Sequence, residues 1–340
     1  MNEGKFQATV LYVKGPGNIV DISPLVISIQ HSGDIMQASR TLSLRIINTL
    51  DGKKQHMQFE EGKEIRFLNK GTEQFRGIIF ATDINAAGEM NITAFDGNIY
   101  LTKNTDTQVF RKKKASDIVR TICTKFGIEM GVIEDTGYVI PKQISRNMSL
   151  WDMMITALTT TRKQTGKKFV ITNEVGKLCL RERKSRLCKI VFEDGVNLLD
   201  ASYSRTIENM RNRIRVTANE DKNGNPAIDI TEKNDASIQK YGMMQHLESL
   251  SGKVKQSQAK QTAKELLAQM NVIEDRAEIV TIGLDEVVAG SSVYVVQKMT
   301  GIRGGFYVLA DTHTYENGVH TMTLQLSATD ELPTLEYSEN

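Results

Sequence analysis

Two histidines near the end of the chain, His313 and His320, lie where they could approach one another and bind a metal ion. They fall in two strand-like runs joined by Asn317-Gly318, a dipeptide that strongly favours a tight β-hairpin. Pairing of these strands could bring the two rings together, with Asp311 and Glu316 as possible further ligands. His320, however, shares the apolar face of its strand. Packing and hydrogen bonding within a β-structure are therefore the favoured interpretation, and no metal ion or cofactor is expected.

The cysteines Cys123, Cys179 and Cys188 could act as nucleophiles only as thiolates beside a histidine base. Cys123 lies on the apolar face of a predicted helix, and Cys179 alternates with Leu178 and Leu180 in a predicted strand. Both are expected to be buried and structural. The odd number of cysteines, the absence of a CxxC pair and an N-terminus without a secretory signal disfavour a disulfide framework. We therefore expect folding in a reducing cytoplasm.

Two pairs of neighbouring carboxylates, Glu193-Asp194 and Asp285-Glu286, are the remaining candidates for acid–base chemistry. Neighbours on a strand point to opposite faces, so neither pair forms a catalytic dyad by itself. The sequence contains no HExxH, GxSxG or Walker-type phosphate loop. Gly301, Gly304 and Gly305 connect two predicted strands and do not open a helix. No enzymatic activity is expected from these residues.

The charges are nearly balanced, with 43 basic and 41 acidic residues, which gives no reason to expect general nucleic-acid binding. Three basic clusters, at 111–114, 162–168 and 181–189, lack interleaved aromatic residues that could stack on bases. They indicate either a solvated face or an electrostatic contact with an acidic protein partner. No run of about 18 apolar residues is present, so no membrane span is expected.

The elements that must position these residues are mostly strands. The final run alternates, which is typical of a half-buried antiparallel strand. One face carries His320, Met322, Leu324 and Leu326, and the other carries Thr321, Thr323, Gln325 and Ser327. Similar short strand-like runs separated by Gly and Asp turns fill residues 1–107, so we predict a first β-barrel domain there.

Helical spacing interrupts the strands between residues 108 and 188, where we predict a small α+β middle domain. One helix begins near Ala115, with Ser116 as its N-cap and Gly127 just after its end. A second begins at Ser149, which forms a capping-box pattern with Asp152.

Residues 189–329 return to strand-like patterns and are predicted to form a second β-barrel domain with one helix. An apolar stripe defines that helix: Ala259, Ala263, Leu266, Leu267 and Met270. Asn223-Gly224 predicts a further hairpin. The acidic tail at 330–340 is expected to be loosely ordered or docked on a neighbour. The predicted fold class is mainly β with an α+β insertion, two barrels flanking the middle domain.

Several blocks of this sequence resemble one family. They include ISPLVISIQHSGDIMQASRTLSLRI, AFDGNIYLTKNTDTQVFRKKKASDIVRTICTKFGI, LLDASYSRTIENMRNRIRV and the run from Val287 to Ser327. Their order and spacing resemble the late-control-D group of contractile-tail baseplate hub proteins, found in phages, prophages and phage-tail-like bacteriocins. The resemblance is to prophage hubs of Gram-positive bacteria.

The resemblance implies a structural protein that assembles as a homotrimer. Two barrels in each of three chains would form a pseudo-sixfold ring, adapting a hexameric tail tube to a trimeric central spike. The implied partners are other copies of the chain, the central spike protein, the tail tube or tube-initiator protein, and other baseplate proteins. The chain would be assembled in the bacterial cytoplasm and end in the baseplate of a phage tail or tail-like particle.

Two other classes of function stay open. A cell-wall-degrading tail hydrolase would need a catalytic set that the sequence does not display. A carbohydrate- or receptor-binding β module would be expected to expose clustered aromatic side chains, yet the single tryptophan, Trp151, lies in the helix that begins near Ser149.

Overall fold

The computed structural model of the protein describes residues 5–183, 187–220, 225–250, 254–329 and 332–335. These residues form two compact units. The first unit extends to Ser202 and resumes at Ala277, and the second comprises Tyr203–Arg276. The boundaries expected from the sequence at 107/108 and 188/189 stay predictions. None of the helices in the described residues is both long and apolar enough to cross a membrane.

The described residues are mainly β, as predicted. The strands of the first part of the chain are β1 (Ala8–Gly15), β2 (Asn18–Asp21), β3 (Val26–Asp34), β4 (Thr41–Ile47), β5 (Glu64–Asn69), β6 (Thr72–Ile84), β7 (Glu89–Phe95), β8 (Thr105–Lys114), β9 (Met130–Ile133), β10 (Val139–Ser149), β11 (Phe169–Glu174) and β12 (Lys177–Glu182). Those of the rest are β13 (Leu187–Glu193), β14 (Leu198–Thr206), β15 (Arg213–Glu220), β16 (Pro226–Lys233), β17 (Gln245–Leu250), β18 (Glu274–Ile282), β19 (Ser292–Val296), β20 (Arg303–Glu316) and β21 (Val319–Ser327). The α-helices are α1 (Tyr100–Lys103), α2 (Ala115–Phe126), α3 (Leu150–Thr165), α4 (Asp235–Tyr241) and α5 (Gln256–Met270).

One large sheet of 13 strands runs in the order β14-β18-β21-β20-β3-β4-β7-β6-β5-β1-β2, with β19 and β13 attached beside β20. The long strand β20 joins its two halves. Residues 303–307 of β20 pair with β19, and residues 310–316 pair with β3. The first and last β-regions of the chain therefore share one sheet. Within the described residues the strand pairs do not close into a barrel.

Each β-region buries the face that alternation predicts. In β4, Leu42, Leu44 and Ile46 are buried in the core of the first region. In β21, Met322 and Leu324 are buried in the core of the last region, which confirms the predicted register. The turn between β20 and β21 has positive φ at both Asn317 (52°) and Gly318 (76°), as a tight two-residue hairpin requires. The local pattern was therefore sufficient to orient these strands.

In the α+β elements between the β-regions, α2 and α3 pack together with the antiparallel pair of β8 and β10. Ser149 caps α3 as predicted, because its Oγ accepts a hydrogen bond from the Asp152 N–H at 3.0 Å. The predicted N-cap of α2 is wrong. The helix begins at Ala115, and Ser116 lies inside it, where its N–H donates to Thr136 Oγ1 at 3.1 Å. The residue that local spacing predicted as a cap thus forms a tertiary hydrogen bond with Thr136 instead.

The second unit consists of a three-stranded sheet, β16-β15-β17, covered on one face by α5. Ile214 and Val216 of β15 pack against Ala259 and Ala263 of α5, and this confirms the predicted apolar stripe. Helix α4 was not predicted, although the Asn234 side chain caps it. The hairpin predicted at Asn223-Gly224 lies outside the described residues.

Four residues of the C-terminal tail, 332–335, contact α3 of the same chain. Leu332 is buried in a small cluster with Ile35 and Val170. Arg162 donates to Thr334 Oγ1 at 2.6 Å, and the N–H of Leu335 donates to Thr159 Oγ1 at 3.2 Å. The sequence offered a loose tail or a tail docked on a neighbour, and these four residues follow neither expectation.

Candidate functional site: a buried polar joint in the large sheet

A cluster of buried polar side chains lies where β3 meets β20. His31 and His313 are directly opposite each other in the antiparallel pair, and Gly33 is opposite Asp311. Arg40, just before β4, extends across Gly33. A Cβ atom at Gly33 would lie 2.1 Å from Arg40 Nη1, so only glycine leaves room for the guanidinium. We call this cluster the polar joint, with His31, Asn69, Arg40, Asp285, Asp311, His313, Tyr315 and His320 as its members.

A bidentate ion pair between Arg40 and Asp311 forms the centre of the polar joint. Arg40 Nη1 donates to Asp311 Oδ1 at 2.9 Å, and Nη2 donates to Oδ2. The Asp311 side chain is fully buried and that of Arg40 is 18% exposed. The N–H of Ala289 also donates to Asp311 Oδ1, at 2.6 Å. Burial opposes the charge of Arg40, but Asp311 raises the pKa of the guanidinium overall. The two buried charges are thus compensated by each other and by backbone.

The hydrogen bonds fix the proton positions on the histidines. His313 Nε2 lies 2.9 Å from the carbonyl oxygen of Val287, so this nitrogen carries the proton. His313 Nδ1 is then an acceptor, and His320 Nε2, 3.0 Å away, must donate to it. His320 Nδ1 is left without a proton, 3.6 Å from Asp285 Oδ1. His31 Nε2 accepts from Arg40 Nε at 2.9 Å, which places its proton on Nδ1. All three rings are neutral in this arrangement.

Asp285 anchors the other side of the polar joint. Its Oδ1 accepts from the Tyr315 hydroxyl and its Oδ2 from the Asn69 amide, both at 2.7 Å. Tyr315 stacks on His320 with ring centroids 3.9 Å apart and an interplanar angle of 16°. It also contacts Phe67 of the first core edge to face, at 4.8 Å. The hydroxyl, ring and carboxylate contacts therefore connect the last β-region with the core of the first.

Burial dominates the ionisation of these groups. It lowers the pKa of His31 well below the usual value and also lowers that of His313. The pKa of His320 falls to about 4, mainly through burial and the neighbouring His313. Asp96 is buried beside Arg40, whose N–H donates to its Oδ2 at 2.9 Å. Burial raises the pKa of Asp96 to about 7. The neutral histidines agree with the tautomers that the hydrogen bonds require.

Asp285, His313 and His320 each bring a possible ligand atom within 4.8 Å of the others. Their geometry nevertheless fits hydrogen bonding better than metal binding. Both Asp285 oxygens accept from protein donors, and one proton joins the two imidazoles. A Cβ atom at Gly283 would lie 2.2 Å from the His320 ring, so the ring is packed closely from this side. An ion would need to displace contacts that are already complete.

The other candidates from the sequence are dispersed. Glu316, a proposed ligand, pairs instead with Arg45 at 2.8 Å on the exposed side of the sheet. Of the pair Asp285-Glu286, the first contributes to the polar joint and the second is exposed. Glu193 and Asp194 are both exposed. None of these pairs forms two convergent carboxylates.

The cysteines occupy structural positions where they are described. Cys123 and Cys179 are buried, as predicted. Burial raises the pKa of the Cys123 thiol to about 12 and also raises that of Cys179. Such thiols are poor nucleophiles at neutral pH. The side chain of Cys188 lies outside the described residues.

Two of the basic clusters are partly paired within the chain. Lys114 pairs with Asp135 at 2.7 Å and Arg181 with Glu174 at 2.8 Å. Arg111 remains exposed on β8. An acidic protein partner for this surface therefore stays a prediction.

The approach of His313 and His320 is confirmed, but no local pattern indicated Arg40, His31 or Asn69. Arg40 and Asp311 are 271 positions apart, and no local spacing connects them. The pairing of β3 with β20, which brings them together, depends on the whole sheet.

A model of the YQBQ-like family matches residues 29–327. The chain belongs to this family. One relative, the phage-like element PBSX protein XkdQ of Bacillus subtilis (strain 168), is 31% identical over 308 residues, 90% of this chain and 93% of XkdQ. Both the first and the last β-regions of this YQBQ-like chain fall largely within the matched range.

Solved structures show which fold the family adopts. The 43 kDa tail protein of prophage MuSo2 from Shewanella oneidensis matches with a TM-score of 0.67 at 13% identity, over 94% of this chain and 98% of that protein. The E. coli c3393 protein matches with a TM-score of 0.54 at 8% identity, over 98% of this chain and 79% of its own. It is described as a type VI secretion system component with structural similarity to the T4 bacteriophage tail proteins gp27 and gp5. This YQBQ-like chain thus has the fold of prophage tail proteins.

Proposed function

We propose that this chain is a structural baseplate hub of a contractile phage tail or tail-like particle. In this proposal three copies surround the tail axis, and each contributes two β modules to a ring of six. The ring adapts a hexameric tail tube to a trimeric central spike. A threefold assembly can match a sixfold one only if every subunit presents two similar modules.

The observation that carries this proposal is the organisation of the large sheet. Strands β1–β7 form its first region, and β13, β14 and β18–β21 form its last region. Each region has its own apolar core, and β20 and the polar joint connect them. Two modules of similar strand content, held together by a shared strand and buried charges, are suited to a load-bearing ring.

The comparisons support the same class of function. The relative XkdQ is a protein of a phage-like element. The structural neighbours include a prophage tail protein and a protein likened to gp27 and gp5 of the T4 tail. We extend these descriptions to the present chain as part of the proposal.

The finer assignments of the proposal follow the sequence. The modules correspond to barrel-like domains at 1–107 and 189–329, and the α+β elements at 108–188 project towards other baseplate proteins. The partners are two further copies of the chain, the central spike and the tail tube or its initiator. Assembly takes place in the bacterial cytoplasm before the particle is released.

The polar joint fits this structural role. Its histidines and Asp311 are buried, and its hydrogen bonds are satisfied within the chain. A hydrolase would instead require an acid or nucleophile that its substrate can reach. The polar joint therefore stabilises the connection between the modules.

The test is a reconstruction of the assembled particle in which this chain carries a small C-terminal label. We expect three copies around the axis, between the tube and the spike. Six copies, or a position away from the axis, would contradict the hub proposal. The assembled particle is the necessary sample because the spike or tube could nucleate the ring.

A further inference from the structure

Three strands of the large sheet, β2, β13 and β14, are each hydrogen-bonded to a single neighbouring strand in the described part of the chain. Of these, β2 and β14 lie at the two ends of the longest run of paired strands. At one end, β2 is hydrogen-bonded only to β1, and at the other end β14 is hydrogen-bonded only to β18. A free edge exposes unpaired N–H and C=O groups and can accept a strand from another chain. The two ends differ in sequence and shape, so they form two distinct surfaces of one chain.

The end next to β14 carries an exposed apolar corner, residues 191–200, which we call the Asn197 corner. Val196 is 66% exposed and Leu199 is 57% exposed. The turn is held in place by Asn197, whose Nδ2 donates to the Val191 carbonyl at 3.0 Å and whose Oδ1 accepts from the Glu193 N–H at 2.9 Å. These apolar side chains are therefore presented on a defined turn.

Acidic side chains surround the Asn197 corner. Glu193, Asp194 and Asp200 are all exposed, and none of them belongs to an ion pair found in the described residues. The opposite end of the sheet has complementary features. The turn between β1 and β2, residues 14–19, which we call the Lys14 hairpin, carries an exposed lysine and Ile19, which is 48% exposed.

We propose that the Asn197 corner of one copy binds the Lys14 hairpin of the next copy. This inference rests on the proposed hub function and names the surfaces that close its ring. A threefold ring requires a head-to-tail contact between two different surfaces of each subunit. Pairing of the β2 and β14 edges would continue the sheet from copy to copy. It would cover Ile19 with Val196 and Leu199, and place Lys14 beside the acidic groups.

Cysteine cross-linking in assembled particles tests this contact. Ile19→Cys and Leu199→Cys are introduced separately and together into the full chain, in a background carrying Cys188→Ser. The remaining cysteines, Cys123 and Cys179, are buried and protected from reagent. Purified particles are treated with a short bis-maleimide and analysed by denaturing electrophoresis.

The double variant should give cross-linked products up to a covalent trimer, and each single variant should give monomers. Particles that contain both single variants should give dimers, because the two cysteines meet across copies. Leu247→Cys is the matched control for Ile19→Cys, since Leu247 is 52% exposed but lies on β17. Together with Leu199→Cys it should give only monomers.

A second variant tests the contact without cross-linking. Leu199→Asp should lower the amount of chain in particles about tenfold or more, because the carboxylate would be buried at the contact. Its thermal unfolding should match the parent chain, since Leu199 is exposed in the free chain. Leu247→Asp, a matched leucine replacement at an exposed position of β17, should leave incorporation unchanged.

Three results would overturn the inference. Dimers from either single variant alone would indicate a contact between identical surfaces. Only monomers from the double variant, in particles that still hold three axial copies, would show that other surfaces close the ring while the hub function stands. Particles without three axial copies would refute the hub function itself, and the inference with it.

Discussion

At the scale of single residues, the ion pair of Arg40 and Asp311 differs from the other ion pairs of the sheet by its burial. Asp311 is fully buried, whereas Arg45 and Glu316 lie partly in solvent on the exposed face of the sheet. A buried pair costs desolvation that its hydrogen bonds offset, so the loss of one partner is more damaging than the pair's net contribution suggests. A solvent-exposed pair contributes little.

Replacing Arg40 with methionine should therefore lower the free energy of unfolding by about 3–5 kcal/mol, because Asp311 would keep an uncompensated buried charge. The matched change, Arg45→Met, should cost at most about 1 kcal/mol. Urea denaturation of both variants measures the difference. Similar losses would indicate that the buried pair does not stabilise the junction of the two β-regions.

The polar joint also predicts how stability depends on pH. A lowered pKa in the folded state means that the unfolded chain binds protons first as the pH falls. The contribution of the neutral His31, His313 and His320 to the free energy of unfolding should be complete above about pH 6.5, the ordinary pKa of histidine. This contribution should be lost as the pH falls towards 4. For His320, whose pKa is about 4, this loss is on the order of 3 kcal/mol.

Denaturation midpoints at pH 7.5, 6 and 4.5 provide the measurement, and His320→Gln is the informative variant. Glutamine keeps a hydrogen-bond donor for His313 but cannot titrate. The variant should therefore lose less stability than the parent chain as the pH falls. Asp96 acts in the opposite direction. Its pKa, raised to about 7, makes its contribution favourable at acid pH and weaker as the pH rises towards neutrality. If the denaturation midpoint of His320→Gln falls with pH as steeply as that of the parent chain, other groups cause the pH dependence.

At the scale of elements, strand β20 contains both the predictable and the unpredictable parts of this fold. Its hairpin with β21 follows from Asn317-Gly318 and from the alternation around Leu324, which are local signals. Its pairing with β3 brings together residues about 280 positions apart, such as His313 and His31, and no short pattern encodes that contact. Ser116 shows that local patterns fail in the same way elsewhere. It was predicted to cap a helix, but its N–H donates to Thr136, a residue that the local pattern does not include.

The face of β21 can be tested directly. Leu324→Asp should abolish soluble folded protein, because Leu324 is fully buried in the last core and a charge there has no partner. Thr323→Asp should be much milder, since Thr323 points to the other face and is only partly buried. Soluble yield and thermal unfolding of the two variants measure the contrast. Equal loss in both would mean that the register of β21 is wrong.

At the scale of the whole molecule, the polar residues serve the connection of two β-regions. Arg40 precedes β4 and Asn69 ends β5, while Asp285, Asp311 and Tyr315 belong to the last region. The hydrogen bonds of Arg40 to Asp311 and of Asn69 to Asp285 cross from one region to the other, and Tyr315 holds Asp285 in place within the last region. If the chain forms a ring that transmits force between tube and spike, this junction must resist separation. Buried charged hydrogen bonds suit that demand, because breaking one leaves its partner unsatisfied.

The last prediction concerns chemistry that the whole molecule should lack. The purified chain should produce no clearing in a peptidoglycan zymogram, because the buried acids Asp96 and Asp311 are hydrogen-bonded within the chain and the carboxylate pairs of the sequence do not converge. Its thermal midpoint should be unchanged by a chelator and by added Zn²⁺, since an ion bound by the folded state would raise it. Asp285→Asn is the control: its amide nitrogen would face a donor, so it should lower the midpoint equally with and without Zn²⁺. Lysis that disappears when one acidic residue is replaced would contradict this prediction. A midpoint that depends on Zn²⁺ in the parent chain but not in Asp285→Asn would show that the polar joint is a metal site and not only a structural element.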